Sequence, residues 1–204
     1  GRHAARALQA RPALARAADA AAAVGAAVAP VAGRDARIAA RDLGFCLVHF
    51  STDYVFDGTK KEPYTESDPT NPINVYGASK LEGERKIQKA TGQFYIIRTQ
   101  WLYGKNGKNF VDTILKLLSE KDELKVVNDQ IGSPTYTVDL ADAVKRLVEK
   151  SPAWGIYNVT NSGYCSWYEF AVEIGKLTGA QNKRILPVAS SEFPRPAERP
   201  GNSR

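Results

Sequence analysis

From residue 45 onward the chain alternates short β-prone runs with amphipathic stretches of helical period, and that alternation restricts its fold more than any other feature. Residues 45–50 form an apolar β-prone run that ends at Ser51-Thr52-Asp53, as a buried parallel strand does before a loop. Residues 58–72 carry Gly58, Pro63, Pro69 and Pro72 among polar spacers. Such a loop is too polar to pack and too long for a simple connection, so it points to function. Asn74 is placed to cap a helix reaching about residue 90, with Glu82, Glu84, Arg85, Lys86 and Lys89 solvated and Val75, Leu81 and Ile87 packing inward. A strand at 94–98 follows, then helices at 109–120, 137–150 and 166–178, with short strands at 124–127, 156–159 and 184–186. Strands alternating with helices predict an α/β fold.

The first forty or so residues read differently. They are dominated by Ala and Arg, contain no Lys, Asn, Tyr or Trp, and lack regular amphipathic spacing. Their bias resembles translated GC-rich DNA beside a normally composed gene. The expectation is a division at 1–44 and 45–204. The first part is either a cloning, assembly or frame artefact, or irregular chain with an Ala-rich helix or two interrupted at Pro12 and Pro30. Neither reading supplies chemistry.

Charge and cysteine usage exclude several classes. Of the formal +6, the first 50 residues supply +4 through seven arginines and three aspartates, leaving +2 for the rest. No Lys/Arg stripe with interleaved aromatics follows, so nucleic-acid binding is not expected. Cys46 and Cys165, one on a strand and one in a loop before a helix, lack metal-type spacing. They read as buried or idle thiols in a reducing compartment. With no strongly apolar run of membrane-spanning length, the expectation is a cytoplasmic protein that uses neither membrane nor metal.

The strongest chemical signal is Tyr76-Gly77-Ala78-Ser79-Lys80 at the start of a helix. Residues four apart share a helical face, so both side chains can meet one ligand. A phenol titrating near pH 10 is a poor acid or base at neutrality unless something stabilises its phenolate. An ammonium about 5 Å away does so by on the order of 3 kcal/mol, about two pKa units, before solvent screening. Alone, a Tyr-x-x-x-Lys pair on a helix surface is common and usually inert.

The pair has company in Ser51-Thr52-Asp53-Tyr54-Val55-Phe56-Asp57-Gly58, in Arg98-Thr99-Gln100-Trp101-Leu102-Tyr103-Gly104 and in Asn128-Asp129-Gln130-Ile131-Gly132-Ser133-Pro134-Thr135. Cys165-Ser166-Trp167-Tyr168 and the tail Phe193-Pro194-Arg195-Pro196-Ala197-Glu198-Arg199-Pro200-Gly201-Asn202-Ser203 complete it. In order over about 160 residues, these runs resemble the dTDP-4-dehydrorhamnose reductase family of the extended short-chain dehydrogenase/reductases. The resemblance implies an incomplete Rossmann-like, doubly wound parallel sheet with a small α/β substrate-binding part. It implies NAD(P)H-dependent reduction of the 4-keto group of dTDP-4-dehydro-L-rhamnose to dTDP-L-rhamnose. Tyr76 would be the general acid, Lys80 the ligand of the nicotinamide ribose, and Thr52 a hydrogen-bond donor to the same carbonyl oxygen. Ser51 and Thr99 would join Tyr76 and Lys80 around the cofactor. Trp101, Asn128 and Gln130 would border the sugar, and Arg199 would meet the pyrophosphate. A dTDP-sugar is the implied partner, with a homodimer left open.

The same family includes a non-catalytic regulatory subunit of a methionine adenosyltransferase, and other nucleotide-sugar epimerases and reductases share the frame. Retention of Thr52, Tyr76 and Lys80 favours the enzyme. A dinucleotide also needs a glycine-rich turn after the first strand. Before Phe45 the chain offers only Gly1, Gly25, Gly33 and Gly44, none in a Gly-x-x-Gly-x-x-Gly frame. The expectation is that this polypeptide holds NADPH or NADH poorly. The choice between the two is not encoded, and Gln100 stands where a smaller residue is usual, crowding the nicotinamide side.

Overall fold

The computed structural model describes residues 45–193 and 195–204. Expectations for residues 1–44 lie outside the described residues. The centre is a parallel sheet in which β1 (Leu47–Thr52) and β7 (Gly155–Asn158) flank β2 (Phe94–Thr99). Register sets Ser51 against Arg98 and Thr52 against Thr99, while Arg98 pairs on its other side with Asn158.

Side chains alternate across this sheet. Tyr95 and Ile97 pack with Val48 and Tyr157 against Leu140, Val144 and Leu147 of α3 (Thr137–Lys150). The other face carries Ser51 and Arg98 and lies under α1 (Val75–Ala90), whose buried residues are Gly77, Leu81, Glu84 and Ile87. The result is the expected α/β layering, Rossmann-like, with helices on both faces of a parallel sheet.

Asn74 caps α1 as expected, its side chain accepting from the Gly77 amide at 2.8 Å. Two expectations about α1 fail. Val75 is 86% exposed, because the first turn stands clear of the sheet. Glu84 is fully buried, because Arg98 and Ser51 reach it from neighbouring strands and take up its charge.

The smaller elements form a second region. β4 (Glu123–Val127) pairs in parallel with β9 (Arg184–Val188), and β3 (Leu102–Tyr103) in parallel with β6 (Thr135–Tyr136). The antiparallel pair β5 (Ile131–Gly132) and β8 (Cys165–Ser166) places Cys165 on a strand rather than in the expected loop. Cys46 precedes β1 and is exposed. Against these lie α2 (Phe110–Glu120), capped by Asn109, and α4 (Trp167–Leu177), closed by a Ser166/Glu169 capping box. Their apolar faces build the largest core, around Tyr103, Ile114, Leu118, Phe170 and Ile174.

The proline-rich loop packs after all. Phe56 stacks on Tyr64 at 4.3 Å, and the Asp57 carboxylate accepts from Thr59, Tyr64 and Asn71, which holds it well below the usual carboxylate range. The chain's last residues are stitched into this loop. Asn202 donates to the Gly58 carbonyl and Tyr64 to the Arg204 carbonyl, while Ser203 and Gly201 pair with Ile131. Gly58 (φ +78°) meets both demands on glycine, since a Cβ there would lie 2.6 Å from Pro200.

Candidate active site

The C-terminal end of β1 gathers the candidate catalytic residues. Thr52 is buried at the strand's last position, its Oγ1 donating to Asp53 Oδ1 at 2.9 Å and accepting from the Tyr54 amide at 3.2 Å. A single 3-10 turn, Asp53–Val55, then brings Tyr54 against α1. Its ring meets that of Tyr76 edge-on at 5.6 Å. The approach is close because residue 77 is glycine: a Cβ there would overlap the Tyr54 carbonyl. Tyr76 is 54% exposed, open to an incoming ligand. One turn on, the half-buried Lys80 Nζ donates to the Phe50 carbonyl at 2.6 Å. Burial lowers the Lys80 pKa, and the Glu84 carboxylate offsets part of that fall. Thr52 thus ends β1, Lys80 reaches back to Phe50 on the same strand, and Tyr76 meets the turn that follows it.

The other expected contacts sit differently. Ser51 stands apart, since its hydroxyl donates to Glu84 at 2.5 Å. Thr99 is buried at the end of β2, with no partner for its Oγ1 among the described residues. Trp101, at φ +46°, stacks on Trp167 with ring centroids 3.4 Å apart. Asn128 is engaged structurally, accepting from the Ser166 hydroxyl at 2.7 Å. Gln100 is pinned by its Nε2 to the Ser203 carbonyl at 2.5 Å.

Two recesses flank this centre. One, of about 370 Å³, has apolar walls from Phe110, Ile114, Val126, Trp167 and Phe193 and is lined as well by Gln130, Arg195 and Arg199. Both guanidiniums act on Tyr54, drawing down a phenol pKa that burial raises. Asn74 donates to the Glu198 carbonyl at 2.8 Å, tying the segment that carries Arg199 to the start of α1. Arg195 was not singled out from sequence, although it lies in the quoted tail, because nothing in a Pro-Arg-Pro run tells which arginine faces inward.

The other recess, of about 390 Å³, lies beneath the C-terminal tail. It collects Asp53 Oδ2, Arg98 Nη1, Thr99 Oγ1, Gln100 Oε1 and Asn158 Oδ1, all buried without a hydrogen-bond partner among the described residues. Burial there pushes the Asp53 carboxyl up to about 6, against hydrogen bonds from Ser203 and Thr52 that pull it down. Among the described residues no group of His, Cys, Asp and Glu could hold a metal, and no helix is long and apolar enough to cross a membrane.

Comparison with known proteins extends this picture. The family model described as RmlD substrate binding domain matches residues 10–204. The spore coat polysaccharide biosynthesis protein SpsK of Bacillus subtilis is 53% identical over 159 residues, covering 76% of this chain and 55% of that protein. A dTDP-4-dehydrorhamnose reductase crystal structure from Clostridium acetobutylicum superposes with a TM-score of 0.81 at 48% identity, covering 84% of this chain and 60% of that one. One from Bacillus anthracis, in complex with NADP, gives 0.79 at 44% identity, with coverages of 84% and 60%. The chain therefore spans little more than half the length of the relatives it matches.

Proposed function

The chain belongs to the RmlD substrate binding domain family, and from that membership we propose that residues 45–204 are the catalytic and substrate-binding part of a cytoplasmic NAD(P)H-dependent reductase. It converts the 4-keto group of dTDP-4-dehydro-L-rhamnose to the hydroxyl of dTDP-L-rhamnose. The observation that supports this reading is the gathering of Thr52, Tyr76 and Lys80 about the end of β1 and the turn after it, together with a groove lined by apolar side chains and by Arg195 and Arg199.

In this reading the groove takes the nucleotide. Its apolar walls cover the base, while Arg195 and Arg199 neutralise the diphosphate next to Tyr54 and Tyr76. The sugar then reaches the exposed phenol. Tyr76 gives its proton to the C4 oxygen, and Thr52 turns its hydroxyl from Asp53 towards that oxygen to orient it and stabilise developing negative charge. The Lys80 ammonium favours the phenolate left behind. The nicotinamide cofactor, when bound, supplies the hydride.

The described residues fit only part of that cofactor. Tyr76 and Lys80 lie open at the ribose end, where Lys80 can exchange the Phe50 carbonyl for sugar hydroxyls. No glycine-rich turn follows a strand among them to receive the pyrophosphate. NADPH fluorescence titrated against the chain should accordingly show binding weaker than micromolar, and micromolar binding would show that another segment holds the dinucleotide. For the reaction, a longer version carrying a glycine-rich turn should form dTDP-L-rhamnose. There Tyr76→Phe should lower turnover about 10²–10⁴-fold. Unaltered turnover refutes the assignment.

A further inference from the structure

Tyr76, Lys80 and Glu84 succeed one another at four-residue steps along α1, so they line one face of the helix. The first two are open or half-buried, and the third is fully enclosed. The Glu84 carboxylate accepts three hydrogen bonds: from Ser51 Oγ at 2.5 Å, from Arg98 Nε at 3.1 Å and from Arg98 Nη2 at 2.7 Å. Ser51 and Arg98 are register partners on β1 and β2, one step before the Thr52/Thr99 pair. A two-point grip on an arginine together with a serine fixes both the rotation of α1 about its axis and its height above the sheet. Gly77, pressed on the Tyr54 carbonyl, holds the helix at its start. Lys80 lies between these two anchors.

A buried ion pair of this kind is a poor source of stability, since desolvation consumes most of the attraction. Its retention in the middle of the catalytic helix calls for another reason. We propose that Glu84 is a positioning residue for the catalytic pair, holding Lys80 over the end of β1 through Ser51 and Arg98 and presenting a negative charge to its amine from one turn away. Glu84 thereby acts on Tyr76 only through Lys80.

The charges around Lys80 agree with this role. From β1 it faces His49, whose pKa is lowered by burial and by the Lys80 charge against an opposing pull from Glu84, and the Phe50 carbonyl. From its own helix it faces Glu84, the only carboxylate among the groups acting on it. Arg98 spends its Nε and Nη2 on Glu84 and stacks over the Phe56 ring at 5.1 Å.

The consequence for Tyr76 rests on the reductase reading, whereas the effect on Lys80 does not. The two are therefore separated by measuring Lys80 itself in the chain as it stands, following its side-chain amine by NMR titration with selectively labelled lysine. Glu84→Gln keeps the shape and removes the charge. It should raise the neutral fraction of Lys80 at a given pH about tenfold, the scale expected for loss of one close opposite charge. Glu84→Asp keeps the charge and should leave the Lys80 titration near that of the parent. If Glu84→Gln does not fold, Glu84→Gln combined with Arg98→Met leaves neither buried charge unpaired; because a positive charge is removed with the negative one, a smaller rise in the same direction is expected. An unchanged Lys80 titration in a folded charge-removing variant overturns the proposal, whatever reaction the protein performs.

Discussion

The sheet region and the small-element region solve the burial problem in opposite ways. Around α2, α4, β4 and β9 the interior is one continuous apolar cluster of aromatic and aliphatic side chains. Under α1 and at the ends of β1, β2 and β7 the apolar clusters are small and are divided by Glu84, Arg98, Ser51, Asp53, Thr99 and Gln100, all buried. The difference teaches where chemistry can be placed. An apolar core fixes a recognition groove by packing, whereas a proton-transfer centre needs polar groups held in low dielectric, which hydrogen bonds and ion pairs must satisfy.

The largest effect expected to expose this contrast is at Arg98. Arg98→Met leaves Glu84 buried and unpaired and should destabilise the fold by about 3–5 kcal/mol in urea unfolding. Arg98→Met with Glu84→Leu should recover most of that loss. If the double variant is as unstable as the single, the ion pair supports the sheet region energetically and the contrast weakens.

Asp53 tests the polar side through pH. Its folded pKa, about 6, lies above the ordinary value of 3.8, so the native state holds the proton more firmly. The stability this contributes is complete below about pH 4 and is lost as pH rises through about 6. Asp53→Asn should therefore stabilise the chain at pH 7 by about 2–3 kcal/mol and change little at pH 4. Urea melts at the two pH values decide it.

On the apolar side, Ile174→Val removes one methylene from a residue 1% exposed and should cost about 0.5–1.5 kcal/mol at either pH, by the same melts. The smallest effect belongs to neither interior. Lys145→Ala, which breaks an exposed pair with Glu149 on α3, should shift stability by less than about 0.5 kcal/mol and less still in added salt.

The sequence disclosed the helices and the long strands well, for local reasons. Asn74, Asn109 and Ser166 cap helices where hydrophobic period and capping chemistry agree. The two-residue strands β3, β5, β6 and β8 escaped, since a pair that short has no period to detect. Tyr76 and Lys80 could be set on one helical face because their spacing is local, and Thr52 at a strand end because an apolar run stops there; their roles come from the resemblance and stand as the proposal. Glu84 was misread as solvated for the opposite reason. Its partner is fourteen residues away in sequence and meets it only once α1 folds over β2, a contact that no helical pattern contains. Val75 was assigned inward by its apolarity alone, although a single exposed valine at a first turn is ordinary.

The tail carries a consequence in time. Residues 201–204 bond to Ile131 and to the loop at 58–64, and the bonds to the loop, such as that from Asn202 to the Lys60 carbonyl, close contacts across most of the described chain. Contacts of that separation form late, after nearer pairings have paid their loop entropy. The polar recess beneath residues 201–204, and the segment that Asn74 ties to the start of α1, are therefore completed late. Until then the molecule can hold its sheet and its apolar core while the candidate site is still an open, hydrated cleft.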